Sequence, residues 1–250
     1  AGVPGPARWN FTQGPVTLGL VPVEYRWARM QALMDWAEFA VELGAPAIVT
    51  HCGFLPEDMT NEQYEPLCTA IQTVAKRCKD LGIGFWFETG QETPVTLLRY
   101  IQDVGLDNLG INLDPANLLM YGKGNPIDSL DVFGKYVKCI HAKDGKLPTD
   151  GHNLGHETKV GEGLVHFPEF LKKLFGLGFD GDLIIEREIS GEQQKKDILA
   201  RIDALQKGTS ERNLAVIEEK RLLNRTRDEV QSAARELNEK KFSVNKLKTD

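Results

Sequence analysis

Four apolar runs in this chain end on a residue that can bind a metal ion or move a proton. They are 83–88 (IGFWFE), 109–114 (LGINLD), 137–141 (VKCIH) and 183–186 (LIIE), which finish on Glu88, Asp114, His141 and Glu186. A fifth run, 46–51 (PAIVTH), finishes on His51. Three carboxylates and one imidazole form a hard, mostly oxygen donor set. Such a set suits one divalent ion, Mn²⁺ or Mg²⁺ with Co²⁺ as a further option, and leaves positions for substrate oxygens. A structural zinc would prefer thiolates in a closed tetrahedron. Polar residues at strand ends are common as caps and turn formers. Four ligand types at the ends of successive runs are harder to explain that way.

For these residues to meet, the runs must be parallel strands whose C-terminal ends share one face. Continuous apolar character fits strands covered on both sides. Between the runs lie longer segments with helical periodicity, so the texture is that of repeated βα units around a parallel sheet. In a parallel barrel the face at the strand C-termini carries the active site. A sixth strand is expected at 16–20 (VTLGL). Residues 24–43 place Trp27, Met30, Leu33, Met34, Ala37, Ala40 and Val41 on one helical stripe, which is expected to pack on the sheet. Thr60 with Gln63, and Ser190 with Gln193, read as capping boxes. Thr93–Pro94 and Asn125–Pro126 place a cap before proline at the first helical position.

The motifs FETGQETP (87–94), INLDPANLLMYGKGNP (111–126), IHAKDG (140–145), VGEGLVHFPEFL (160–171) and IIEREISGEQQ (184–194) resemble the sugar phosphate isomerase/epimerase branch of the xylose-isomerase-like TIM-barrel superfamily. VTHCGF (49–54) fits the same pattern, and the resemblance spans about residues 15–200. It implies an α/β fold, a (β/α)8 TIM barrel in which Glu88, Asp114, His141 and Glu186 come from the last four strands. It also implies that Glu88 and Glu186 are catalytic, flanking a ketose and exchanging a proton with the carbon beside its carbonyl. The chemistry is consistent with this. A divalent cation stabilises a developing enediolate, and a carboxylate on each face can remove and return the proton on opposite sides. One carboxylate working at both carbons would give aldose–ketose isomerisation instead. Substrate contacts are expected from His51, Lys143, Asp144 and Glu162. Arg187, next to Glu186 in a strand, should point away into a structural ion pair. His152 and His156 lie between glycines and are not expected to hold a second metal.

Six strands against the eight of such a barrel imply that the first two βα units are missing. Beyond about residue 205 the character changes. Residues 206–250 read as a charged, coiled-coil-like helical tail, with Val216, Leu223, Val230, Leu237 and Val244 recurring every seven residues. The domain division expected is therefore 1–205 and 206–250.

Bulk properties narrow the function. The net charge of −6 argues against nucleic-acid partners, including the abasic-site nucleases of the same superfamily. No apolar run has membrane-spanning length, and the start, AGVPGPARWN, lacks the apolar core of a signal peptide. Four cysteines without a CxxC pair fit reduced thiols in a cytoplasmic protein. The expected partner is a small sugar or sugar phosphate, with homo-oligomerisation open. The alternatives are an inosose dehydratase or isomerase, a hydroxypyruvate-type isomerase, and a non-catalytic barrel scaffold.

Overall fold

The computed structural model describes residues 2–188. Five strands, β1 (Ala47–Thr50), β2 (Gly84–Glu88), β3 (Leu109–Leu113), β4 (Val137–Ala142) and β7 (Asp182–Ile185), form one sheet in the order β1-β2-β3-β4-β7. Every neighbouring pair is parallel. With helices returning between the strands, this is a partial (β/α) barrel. A small antiparallel hairpin, β5 (Asp144–Lys146) and β6 (His156–Thr158), stands on the loop after β4.

Alternation along β2 explains how the sheet serves both core and site. Phe85 and Phe87 are buried, while Gly84, Trp86 and Glu88 are half-buried on the opposite side. The buried side joins Ile111, Leu113 and Ile140 in one apolar cluster with residues of the surrounding helices. Those helices are α2 (Val23–Glu42), α3 (Tyr64–Asp80), α4 (Pro94–Val104), α5 (Pro115–Met120) and α6 (Pro126–Phe133), with α7 (Phe167–Gly176) following the hairpin. On the other side the Trp86 ring lies across Gly110, where an added Cβ would sit 2.7 Å from Trp86 Cδ1. The glycine is there because the indole needs its space.

Two of the expected helix starts hold. Thr93 caps α4 by accepting from Thr96 N, and Gly105 closes that helix in the left-handed conformation. Asn125 caps α6 through Ile127 N and Asp128 N. The Thr60–Gln63 capping box does not form. Thr60 donates instead to Asp58, and α3 begins at Tyr64 with no side-chain cap. Ser190 and Gln193 lie outside the described residues, as do the 205/206 boundary and the tail.

The run 16–20 is not a strand. Residues Gly14–Thr17 make a single helical turn, α1, and the chain then passes Leu20 N to Cys52 O as a lone contact beside β1. Gly19 explains the failure, since it adopts φ +63° and a Cβ there would meet Cys52 backbone atoms at 2.0 Å. The sheet among the described residues therefore has five strands rather than six. The α2 stripe is also narrower than its sequence suggested. Met30, Leu33, Ala37 and Ala40 are buried, but Trp27 is 72 % exposed and Val41 42 %.

In place of a sixth strand, an irregular strap of residues 2–13 lies against α2. Arg29 holds it. Its fully buried guanidinium donates to Pro4 O (3.0 Å), Pro6 O (2.8 Å) and Gly19 O (2.7 Å) and stacks on Tyr25. Trp36 Nε1 adds a bond to Gly2 O. Carbonyls that would otherwise lack partners thus bond to side chains of a helix. No helix among the described residues is long and apolar enough to cross a membrane.

Candidate metal centre

Glu88 ends β2, Asp114 follows β3, His141 lies in β4 and Glu186 follows β7. The parallel order brings them together, and one ligand atom from each lies within 4.8 Å of all the others. His141 Nδ1 is 3.1 Å from Glu186 Oε2, 3.2 Å from Glu88 Oε1 and 3.9 Å from Asp114 Oδ2. Asp114 is fully buried and also caps α5, its Oδ1 accepting from Asn117 N at 2.9 Å. Its Oδ2 faces the cluster without a hydrogen bond of good geometry, and His141 Nδ1 likewise lacks one.

The electrostatics match an ion-binding set that is short of positive charge. Burial raises the Asp114 carboxyl to about 7 against the pull of Lys143. Burial also opposes ionisation of Glu88, but His51 and His141 outweigh it and hold this carboxyl well below the usual glutamate range. For Glu186, burial is likewise outweighed, by the hydrogen bond to His141 and the charge of Lys143. Burial disfavours the His141 cation, yet Glu186 and Glu88 raise it to about 10. The two glutamates thus favour positive charge at this point of the cluster. These donor atoms fit a divalent ion, since three hard oxygens and one imidazole nitrogen converge and two of them have no other good partner.

The His141 ring is oriented from behind. Its Nε2 lies 2.9 Å from Asn112 Nδ2, while the buried Asn112 Oδ1 has no partner. Turning the Asn112 amide over lets Nε2–H donate to Oδ1 and frees the Nδ1 lone pair for a metal. Asn112 was not among the residues singled out from sequence, because its signal lies in strand alternation two positions before Asp114.

The expected substrate contacts divide into three groups. His51 is at the site, with Nε2 3.4 Å from Glu88 Oε1; burial works against its protonation, but Glu88 raises it above the ordinary value. Lys143 and Asp144 are both engaged by the protein itself. The buried Lys143 ammonium lies 3.4 Å from Asp114 Oδ2 and 3.2 Å from Glu186 Oε2, and it also bonds Glu188. It braces two carboxylates from outside the cluster. Asp144 is buried and accepts four backbone N–H groups, from Gly145, Gly161, Gly163 and Val165. It organises the loop containing Glu162, whose own side chain is exposed. Arg187 pairs with Glu157 Oε1 at 2.5 Å, the structural ion pair expected of it.

Two groups went unnoticed in the sequence. Gln91 and Glu92, in the turn after β2, are 1 % and 2 % exposed, and none of their side-chain polar atoms has a hydrogen-bond partner. Burial raises Glu92 to about 7, although His51 pulls the other way. Trp9, carried by the strap, meets the His51 ring edge-on with centroids 4.9 Å apart.

Comparison with known proteins agrees with this architecture. A family model for the xylose isomerase-like TIM barrel matches residues 10–208. The crystal structure of a xylose isomerase domain protein from Planctomyces limnophilus superposes with a TM-score of 0.71 at 37 % identity, over 78 % of this chain and 70 % of that one. Among curated proteins, the uncharacterized protein MJ1311 of Methanocaldococcus jannaschii is 30 % identical over 68 % of this chain and 60 % of its own length. An inosose dehydratase of Lacticaseibacillus casei is 24 % identical over 52 % of this chain and 48 % of its own. A ketose 3-epimerase of Arthrobacter globiformis is 27 % identical over 47 % and 39 %. The chain thus spans at most 60 % of the length of these curated relatives. By fold, by strand-end residues and by the matched span, the chain belongs to the xylose isomerase-like TIM-barrel family.

Proposed function

We propose that the chain is a divalent-metal-dependent isomerase or epimerase of a sugar or sugar phosphate. The observation that carries this reading is the convergence of Glu88, Asp114, His141 and Glu186, whose ligand atoms all lie within 4.8 Å of one another. Bound there, Mn²⁺ or Mg²⁺ would draw electron density from a substrate carbonyl and its neighbouring hydroxyl, acidifying the carbon between them. Asp114 and His141 hold the ion; Asp114 is fixed by its capping bond to Asn117 N. Glu88 and Glu186 come from strands on either side of β3 and β4, so their carboxylates reach the substrate carbon from opposite directions. One removes the proton and the other returns it, which inverts that carbon. His51, beside Glu88, favours its ionised form, so the carboxylate is free to accept a proton at neutral pH.

A second reading, dehydration of an inosose, is favoured by the inosose dehydratase relative. It uses the same proton abstraction but loses a hydroxyl at the next carbon. Product analysis separates the two, since only dehydration creates an absorbing enone or diketone.

The test is Mn²⁺ stoichiometry on the full chain after gel filtration, followed by a screen over ketoses, their phosphates and inososes. The expected result is one ion per chain, lost in Asp114→Ala, and turnover abolished in Glu186→Gln. A folded wild type that binds no ion would overturn the proposal in favour of a non-catalytic barrel.

A further inference from the structure

We propose that Trp9 is a specificity-determining residue, presenting an aromatic face to the carbon skeleton of the substrate beyond its reacting carbons; this rests on the sugar reading above. Three observations place it there. Trp9 contacts His51, with ring centroids 4.9 Å apart, and His51 in turn lies 3.4 Å from Glu88. The indole is therefore one side chain removed from the candidate proton-transfer group. It is 51 % exposed, so about half of its surface is free of protein contact. It is also held in place, because the strap that carries it is fastened by a buried arginine and by turns within itself. Arg29 binds Pro4 O and Pro6 O on one side of Trp9. On the other, Asn10 Oδ1 accepts from Thr12 N and Gln13 N, while Arg8 N donates to Thr17 Oγ1.

A buried guanidinium devoted to an irregular segment is costly unless its donors find acceptors. Here each of its three nitrogens donates to a backbone carbonyl. The result is an indole presented on a fixed backbone rather than on a wandering end of the chain. Phe11, on the same strap, and Phe54 each meet Tyr121 edge-on. Sugars have apolar C–H faces between their hydroxyls. An electron-rich ring face is complementary to those C–H groups, while the charged centre takes the oxygens. The ring contacts His51, which stands between it and Glu88, so it meets carbons beyond the two that react. The substrate class is accordingly a ketose longer than three carbons.

The experiment compares D-fructose with dihydroxyacetone, a three-carbon ketose with only one carbon besides the reacting pair. Binding of each to the Mg²⁺-loaded full chain is followed by saturation-transfer difference NMR for wild type, Trp9→Ala and Trp9→Phe. Metal stoichiometry and melting temperature are measured on the same samples. The expected result is a roughly tenfold weaker D-fructose affinity in Trp9→Ala, recovery to within about threefold in Trp9→Phe, and dihydroxyacetone unchanged within about twofold. Equal D-fructose binding in wild type and Trp9→Ala overturns this inference alone. Equal losses for both ligands, or loss of metal or melting temperature in Trp9→Ala, make Trp9 a packing residue and overturn it too. A wild type that binds Mg²⁺ but neither ligand overturns it together with the sugar reading, whereas a wild type that binds no Mg²⁺ removes the metal centre itself.

Discussion

At the scale of single residues, the least obvious contribution is that of Asn112. Its amide lies 2.9 Å from His141 Nε2, and with its oxygen turned to that nitrogen it leaves Nδ1 free for an ion. Asn112→Leu is expected to weaken Mn²⁺ binding by about 10- to 100-fold while leaving the fold intact, as isothermal titration would show. Glu92 gives a prediction of opposite kind. Burial lifts its carboxyl from 4.5 to about 7, so the folded protein holds a proton that the unfolded chain releases. The sign follows directly: stability is greatest below pH 4.5 as far as this group is concerned, falls as pH rises to about 7, and levels off above. The loss is about 3 kcal/mol, and Glu92→Gln should remove it. Urea titrations of the metal-free protein at pH 5 and pH 8 would detect the difference. Equal pH dependence in the variant and wild type would mean that Glu92 has a partner when folded. The four strand-end residues were legible in sequence because strand direction alone fixes where they point. The protein contacts of Lys143 and Asp144 were not legible, because a sequence shows that a polar residue is near a site, not which neighbours take its donors and acceptors.

At the scale of elements, loops do the positioning. The segment 161–165 has no secondary structure and is shaped by one carboxylate accepting four N–H groups. Gly163 passes so close that an added Cβ would lie 2.1 Å from Asp144 Oδ1. Asp144→Ala strands buried donors and is expected to cost at least ~3 kcal/mol, with faster amide hydrogen exchange across Gly161, Gly163 and Val165. Unchanged exchange there would show that another group shapes the loop. The hairpin β5–β6 is joined to the chain after β7 by Glu157, which pairs with Arg187 through one oxygen and accepts from Glu188 N at 3.0 Å through the other. Helix caps before proline were readable because the missing N–H of proline is a local rule. The run VTLGL was not, since its composition is that of a strand and only a tertiary contact, Gly19 against Cys52, forbids the extended path. The exposure of Trp27 escaped for a related reason, as periodicity reports a stripe and not its width.

At the scale of the molecule, the sheet determines the site. Each candidate ligand belongs to a different βα unit, so none can be in place unless its strand is in register. Register itself is narrowly set, because β3 and β4 slip by one residue between Ile111 and Asn112, just before the bond from Asn112 to His141. The fold class was legible because alternation of apolar runs and helical segments is a whole-chain pattern. Strand number was not, for the reason found at Gly19. One prediction belongs at this scale. An ion bound by the folded form alone stabilises the whole sheet by mass action, about 2.7 kcal/mol at a hundredfold excess over Kd. Adding EDTA to the loaded protein should lower its melting temperature, and Asp114→Ala should be insensitive to it. A melting temperature that EDTA leaves unchanged in the wild type would mean the ion does not bridge the strands.

The spread of these four residues along the chain also has a consequence for biosynthesis. Ribosomes deliver Glu88, Asp114 and His141 first, and Lys143 directly after them, while Glu186 and Glu188 emerge only with β7 and the residues beyond it. Until then the ammonium of Lys143 has a single carboxylate, Asp114, to face. A nascent chain halted before β7 therefore carries a cation with too few counter-charges to be buried, and β4 has no neighbour on its far edge. The centre closes at one moment, when the last strand arrives, and intermediates short of that moment are the ones a chaperone would be expected to hold.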